Sequence, residues 1–288
     1  MNLNSLRNAP IGVFDSGVGG LTVARAIRDQ LPNESIVYAA DTRNTPYGPK
    51  PIAEVRQHAL EVLDGLVAQG VKMLVIACNT ASAAVLRDSH ERYSVPVVEV
   101  IAPTVRNAAA ITRNGKVGLI GTSGTIKSKV YDDMFSLRPE ITLSTKACPR
   151  FVELVEAGKT SGAEVLEVAE DYLASLIAED IDTLVLGCTH YPFLRGALRQ
   201  VVGPNVALVS SDIETANRVY QVLTEHNLLR DADLGEPEIR YETTGAGTNE
   251  FVSLAKRMLG IGIDEVTQLN TGSIPTQHSP TTPTPERR

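Results

Sequence analysis

Cysteine is scarce in this chain: 288 residues carry only Cys78, Cys148 and Cys188, widely separated and with no Cys-x-x-Cys pair. An odd number of distant cysteines argues against a disulfide framework. Cys188 and His190 are close in sequence, but no clustered residues complete a metal ligand set around them. Any chemistry of these side chains is therefore that of free thiols. Positive charge is also lacking, since 27 basic residues face 34 acidic ones for a net charge of −7. The chain as a whole offers no field of the sign that neutralises phosphates, which argues against nucleic acid as a partner. The first ten residues, Met1 to Pro10, lack the apolar core of a signal peptide, and no apolar run reaches membrane-spanning length. A cytoplasmic protein without a membrane partner is expected.

What is present reads as a globular enzyme-sized chain. With 43% hydrophobic and 21% charged residues it can fold by burial alone, and its length favours two domains. Short apolar runs alternate with amphipathic stretches, the pattern of doubly wound, mainly parallel α/β sheets. Strands are predicted at Ile11 to Phe14, Ile36 to Ala40, Met73 to Ala77, Val97 to Val100, Val117 to Ile120, Thr183 to Leu186 and Val206 to Val209, with a further one at Glu238 to Tyr241. Helices are predicted at Leu21 to Gln30, Ile52 to Gln69, Ser82 to Glu91, Pro103 to Arg113, Gly162 to Glu179, Phe193 to Val201, Ile213 to Leu223 and Asn249 to Leu259.

Two internal echoes add to this. Met73-Leu-Val-Ile-Ala-Cys-Asn-Thr80 matches Thr183-Leu-Val-Leu-Gly-Cys-Thr-His190, and Ile11-Gly-Val-Phe-Asp-Ser-Gly17 matches Val117-Gly-Leu-Ile-Gly-Thr-Ser123 at nearly the same offset. Chance recurrence of strand endings is the competing explanation for one echo; two at nearly the same offset favour related halves. The expected architecture is two pseudo-symmetric, doubly wound α/β domains with the active site between them. Residues 1–100 with 210–269 form the first domain and 101–209 the second. The segment 270–288, rich in Thr, Pro and Ser, is expected to be a disordered tail.

Ligands of open α/β sheets bind beyond the carboxyl ends of the strands, where Cys78 and Cys188 are placed, each before a helix start. A helix N-terminus lowers a thiol pKa and favours anionic substrates. A lone cysteine after an apolar strand is more often structural, as Cys148 is read here; two in echoed positions are harder to dismiss. Asp15 and Ser16 precede the glycine turn Gly17-Val-Gly-Gly20 and could serve a thiol or a substrate ammonium, or equally cap a helix. The same turn weakly suggests a dinucleotide fold with Asp41 as the ribose acid, but Thr22 stands where the last glycine belongs. His190 could support a thiolate or act as acid/base, or be an ordinary structural histidine. Tyr47 and Gly48, in a proline-bracketed segment, form either a ligand-closing loop or a plain turn. Glu156, in a short amphipathic stretch, reads on pattern alone as a solvated charge.

Taken together, Gly12-Val-Phe-Asp-Ser-Gly-Val-Gly-Gly-Leu21, Asn44-Thr-Pro-Tyr-Gly48, Ile76-Ala-Cys-Asn-Thr-Ala81 and Leu186-Gly-Cys-Thr-His-Tyr-Pro192 strongly resemble the glutamate racemases of bacterial cell-wall synthesis. The resemblance spans residues 11 to about 260. It implies that Cys78 and Cys188 are the catalytic acid/base thiols, that Asp15 and His190 assist them, and that Glu156, in Leu154-Val-Glu-Ala-Gly158, is the additional catalytic acid. It places Asp15, Ser16, Tyr47, Gly48, Asn79, Thr80, Thr189 and His190 around the substrate. It further implies L-glutamate and D-glutamate as ligands, no cofactor or metal, a role in peptidoglycan precursor supply, and a homodimer.

Inverting an α-carbon without redox chemistry needs a base on one face and an acid on the other, and two thiols from facing domains fit that need. An aspartate racemase is the nearest alternative. A cysteine hydrolase would leave one thiol without a role, and a clamshell amino-acid-binding module would need neither.

Overall fold

The computed structural model describes residues 3–260 and 262–271, so most of the segment expected to be a disordered tail lies outside the described residues. In chain order the elements are α1 (Leu3–Asn8), β1 (Ile11–Asp15), α2 (Leu21–Gln30), β2 (Ile36–Ala40), α3 (Ile52–Ala68), β3 (Met73–Ile76), α4 (Asn79–Arg92), β4 (Val97–Glu99) and α5 (Ile101–Ile111). There follow β5 (Lys116–Gly121), α6 (Ser123–Ser128), α7 (Val130–Ser136), β6 (Thr142–Ala147), α8 (Arg150–Glu156), α9 (Ala163–Ala178), β7 (Thr183–Gly187), a 3-10 turn (Tyr191–Leu194), α10 (Arg195–Val202) and β8 (Ala207–Ser210). The chain ends with α11 (Ser211–Glu225), β9 (Ile239–Thr243), α12 (Thr248–Leu259) and β10 (Thr267–Gln268).

These strands form two all-parallel sheets, in the orders β10-β9-β2-β1-β3-β4 and β6-β5-β7-β8. The second sheet repeats the order β2-β1-β3-β4 of the first, so β5 corresponds to β1 and β7 to β3. The two sequence echoes fall on those pairs. The fold is thus the expected pair of doubly wound, pseudo-symmetric α/β units. Each residue of β1, β2, β3 and β7 is buried, which explains their near-continuous apolar runs: a parallel sheet has helices on both faces.

The apolar layers show how the sheets are joined. α3 and α4 cover the outer face of the first sheet, and α8, α9 and α10 that of the second. Between the sheets lies one continuous core containing Ile101, Val105 and Ala108 of α5 and Ala216, Val219 and Leu223 of α11, together with residues of both sheets. The chain leaves the first sheet through α5 and returns through α11, so both crossings are buried in the shared layer. No helix among the described residues is long and apolar enough to cross a membrane.

Several elements escape the sequence pattern. β6 (Thr-Leu-Ser-Thr-Lys-Ala) is an edge strand without a buried residue, so it carries no apolar run. α1, α6 and α7 are too short to show a helical period, and β10 has two residues. α4 starts at Asn79 rather than Ser82, which makes Cys78 its N-cap.

Candidate active site

In each sheet the chain winds one way from the first strand and the other way from the third, so a crevice opens beyond the carboxyl ends of the strand pair between. For the first sheet this is the β1/β3 pair and for the second β5/β7. The two crevices face each other around one cavity of about 210 Å³. Ser16, Tyr47, Gly48, Cys78, Asn79, Thr80, Glu156, Cys188, Thr189 and His190 all line it. Asp15 does not; it is fully buried behind the wall. Cys148 is also fully buried and away from the lining, as its structural reading implies.

Cys78 caps α4, its Sγ accepting a hydrogen bond from the Ala81 amide at 3.4 Å and lying 3.6 Å from Ser16 Oγ. The helix end does lower this thiol pKa, through the Ala81 amide, but it is outweighed. Burial, reinforced by the negative charge of Asp15, pushes it up to about 12, and the hydrogen-bond contacts with the Ala81 amide and Ser16 offset this only in part. Asp15 accepts from the Gly17 amide at 2.9 Å through Oδ2, while Oδ1 is buried without a hydrogen-bond partner among the described residues. Burial raises the Asp15 pKa, opposed by His190 and by backbone N–H groups. The alternative role of Asp15 and Ser16 as helix caps does not apply, because the N-cap of α2 is Gly20.

At the second strand end a different relay forms. Cys188 Sγ lies 3.8 Å from His190 Nδ1, and His190 Nε2 lies 3.2 Å from Glu156 Oε1. Burial pulls the imidazolium pKa down, but the contacts with Cys188 and Glu156 outweigh it and push the value up to about 10. These two contacts therefore favour the cationic form of His190. Glu156 keeps 42% of its side-chain surface exposed, consistent with its solvated appearance in sequence, yet it is joined to the relay.

The two halves meet at close range around the cavity. A Cβ on Gly19 would lie 2.3 Å from Thr189 Oγ1 and 2.8 Å from His190 Nδ1, so only glycine permits this approach. On the other side Thr80 Oγ1 bonds Thr122 Oγ1 at 2.9 Å and Thr125 Oγ1 at 3.1 Å, and those two hydroxyls are 3.0 Å apart. Tyr131 donates to Asn79 Oδ1 at 2.7 Å, and the Gly124 amide to the Gly48 carbonyl at 2.8 Å. The phenol of Tyr47 is already committed, donating to Asp41 Oδ2 at 2.5 Å. Asp41 also accepts from Asn44 and Thr244 and is fully buried, so it is no ribose acid and the dinucleotide alternative falls.

Thr122 and Ser123 also line the cavity and are missing from the sequence-based site. The signal for them existed, since the echo of β1 in β5 sets Thr122 and Ser123 opposite Ser16 and Gly17. Pro149, Val152 and Glu153 line it from the start of α8, where no motif marks them. No lysine lines the cavity, and among the described residues no cluster of three His, Cys, Asp or Glu side chains is arranged to hold a metal ion.

Comparison with known proteins places these features in a family. The sequence matches the Asp/Glu/Hydantoin racemase family over residues 19–217. It is 62% identical over 269 residues to a glutamate racemase of Leifsonia xyli, covering 93% of this chain and 98% of that protein. The fold is similar to the crystal structure of a Thermus thermophilus glutamate racemase in complex with β-chloro-D-alanine (TM-score 0.82, 45% identity, 91% and 97% of the two chains). It is likewise similar to a Francisella tularensis glutamate racemase in complex with D-glutamate (TM-score 0.85, 33% identity, 92% and 98%).

Proposed function

The chain belongs to the Asp/Glu/hydantoin racemase family and, within it, to the glutamate racemases, which are isomerases, and we propose that it interconverts L- and D-glutamate by passing the α-proton between Cys188 and Cys78. The observation that carries this reading is the pairing of two thiols at equivalent strand ends, open to one cavity, one beside an imidazolium and the other beside a carboxylate.

In one direction the Cys188 thiolate takes the α-proton, leaving the electron pair on Cα. The Cys78 thiol then delivers its proton to the opposite face, ending as thiolate while Cys188 ends as thiol. In the other direction the roles exchange. The carbanion is stabilised by the hydroxyls and amides that ring it, from Ser16, Asn79, Thr80 and Thr189, in a site where the closed seam excludes water. The cavity lining offers no amine for a Schiff base, which supports a cofactor-independent route. Two domains, 1–100 with 210–269 and 101–209, closing on the substrate account for water exclusion. The family resemblance extends the proposal to a cytoplasmic homodimer that supplies D-glutamate for peptidoglycan. A hydrolase is disfavoured, because Cys78 would then have no role.

The test is proton NMR of either glutamate enantiomer in deuterated water, without added cofactor, with polarimetry alongside. Deuterium entering the α-position while optical activity decays to zero is expected for the wild type, with inversion reduced on the order of 10⁴-fold in both Cys78→Ala and Cys188→Ala. Inversion that survives in either variant would end the two-thiol reading, and exchange of aspartate but not glutamate would end the substrate assignment.

A further inference from the structure

Helix α8 ends at Glu156, whose carboxylate meets His190. The last carbonyls of a helix have no intrahelical partners. Those of Glu153, Leu154 and Val155 are taken by the backbone amides of Ala157, Lys159 and Gly158, at 2.9, 2.8 and 2.9 Å. The carbonyl of Glu156 is taken from another part of the molecule: Arg257 Nη2 of α12 donates to it at 2.7 Å, from 101 residues away in sequence.

α12 is anchored on the first half. It packs on α2, and its Phe251 stacks on Tyr38 with ring centroids 6.1 Å apart. The Tyr38 hydroxyl donates to the Gly17 carbonyl at 2.7 Å, and the Gly17 amide donates to Asp15. At its other end Met258 packs against both the shared core and the core of the second sheet's outer face, and the Arg257 stem runs beside Gly158. One helix thus reaches, through Tyr38, the turn that follows Asp15 and Ser16, and directly holds the helix end that carries Glu156.

We propose that Arg257 is a positioning residue for racemisation, holding the C-terminal carbonyl of α8 so that Glu156 stays aligned on His190 and the Cys188 relay is set by a helix of the opposite half. The inference rests on the two-thiol reading above. A guanidinium at a helix C-terminus is favourable for both the free carbonyl and the helix dipole. With 42% of its side chain exposed, Glu156 is not held by packing, so its alignment depends on where the helix end is held. Small misplacements of such a group carry large rate costs. Arg257 itself is exposed, and its truncation should leave the fold intact.

The test compares Arg257→Ala, Arg257→Lys, Glu156→Gln and the double variant Arg257→Ala/Glu156→Gln. One readout is racemisation against pH. The other is the rate of Cys188 alkylation by iodoacetamide at neutral pH, followed by mass spectrometry with Cys78 as internal reference, which needs no turnover. Arg257→Ala is expected to slow both by about fivefold and to move the alkaline fall of kcat/KM to lower pH, with Arg257→Lys recovering most of the loss; in the Glu156→Gln background the same change should cost less than about twofold, the non-additivity of residues acting on one contact. Equal losses in both backgrounds, or wild-type alkylation and pH profiles in Arg257→Ala, would overturn the assignment. If instead the wild type racemises no glutamate, the two-thiol reading has failed, while the alkylation cycle still decides whether Arg257 acts on Cys188 through Glu156.

Discussion

The ends of β3 and β7 begin from nearly the same sequence and finish as chemical opposites. Each strand delivers a cysteine to the same cavity from the same place in the same strand order. At the first, Asp15 stands behind the thiol and burial dominates, so Cys78 is pushed up to about 12 and stays protonated. At the second, the residue matching Asp15 is Gly121 and the residue matching Thr80 is His190, so the thiol meets a cation instead of a carboxylate. A two-base racemase requires one thiolate and one thiol when substrate binds. Under the proposed mechanism, the pseudo-symmetric scaffold supplies two equivalent positions, and their asymmetric neighbours set them apart. Because enantiomers have equal free energies in water, kcat/KM must be equal for both at any pH, so perturbing either end has to slow both directions together.

Removing the cation that distinguishes the second end should have the largest effect. His190→Asn is expected to lower kcat/KM roughly 10³-fold, within the range of a lost acid/base partner. Because the imidazolium pKa is raised to about 10, wild-type kcat/KM should fall as pH rises through that value, and this limb should vanish in the variant. The sign for stability is the same. A raised histidine pKa contributes fully below its unfolded value of about 6.5 and is lost as pH climbs towards 10, so wild-type Tm should decline over that window more than that of His190→Asn. A pH profile unchanged by the substitution would detach the histidine from the thiol.

Next comes the close approach of the halves. Under the echo that sets Ser16 opposite Thr122, Gly19 matches Thr125, so one side of the seam meets through a bare backbone and the other through a side chain. Gly19→Ala places a methyl 2.3 Å from Thr189 Oγ1, and a displacement of this order should reduce turnover about 10²-fold. Polarimetric rates alongside a thermal melt separate this from unfolding; full activity with an unchanged melt would mean that the halves need not approach so closely.

A smaller and opposite-signed change is expected at the first end. Asp15→Asn removes the carboxylate that raises Cys78 while keeping an acceptor for the Gly17 amide. A thiol pKa lower by about one unit gives about tenfold faster alkylation at mildly alkaline pH, while Cys78 remains mostly thiol and able to donate, so racemisation should slow by less than about tenfold. Slower alkylation of Cys78 would show that Asp15 supports the thiolate instead.

These contrasts also mark how far the sequence could be read. The buried strands β1, β3, β5 and β7 were legible because both faces are covered, and the lining cysteines because they follow those strands directly. β6 was not, since an edge strand can remain polar. The net shift of Cys78 is not legible, because a helix N-terminus shows in sequence whereas the depth of burial and the carboxylate behind the thiol are tertiary facts. Glu156 could be placed only by resemblance, since its partner His190 lies 34 residues away. Thr122 was legible in principle, through the echo of Ser16, but its bonds to Thr80 and Thr125 depend on how the halves are set together.

That threonine cluster offers the mildest and most discriminating comparison, because Thr80 occupies in the first half the position that His190 occupies in the second. Both residues reach across the seam: His190 lies against Gly19, while Thr80 joins Thr122 and Thr125 in a closed triangle of hydroxyls. Three hydroxyls sharing three protons satisfy one another, and Thr122 Oγ1 also accepts from the Thr125 amide at 3.2 Å. Thr80→Val keeps the side-chain shape and leaves one of the remaining hydroxyls short of a partner in a buried place, at a cost of about 1 to 2 kcal/mol. For a chain of this size that lowers Tm by about 3 °C, measurable by calorimetry. Thr80 carries no proton in the proposed reaction, so kcat/KM should fall by less than about tenfold, well short of the loss from a missing acid/base group, and the alkaline limb set by His190 should stay in place. A loss as deep as that of His190→Asn, or a displaced alkaline limb, would mean that the two matching positions share the chemistry after all and that the asymmetry lies elsewhere in the cavity.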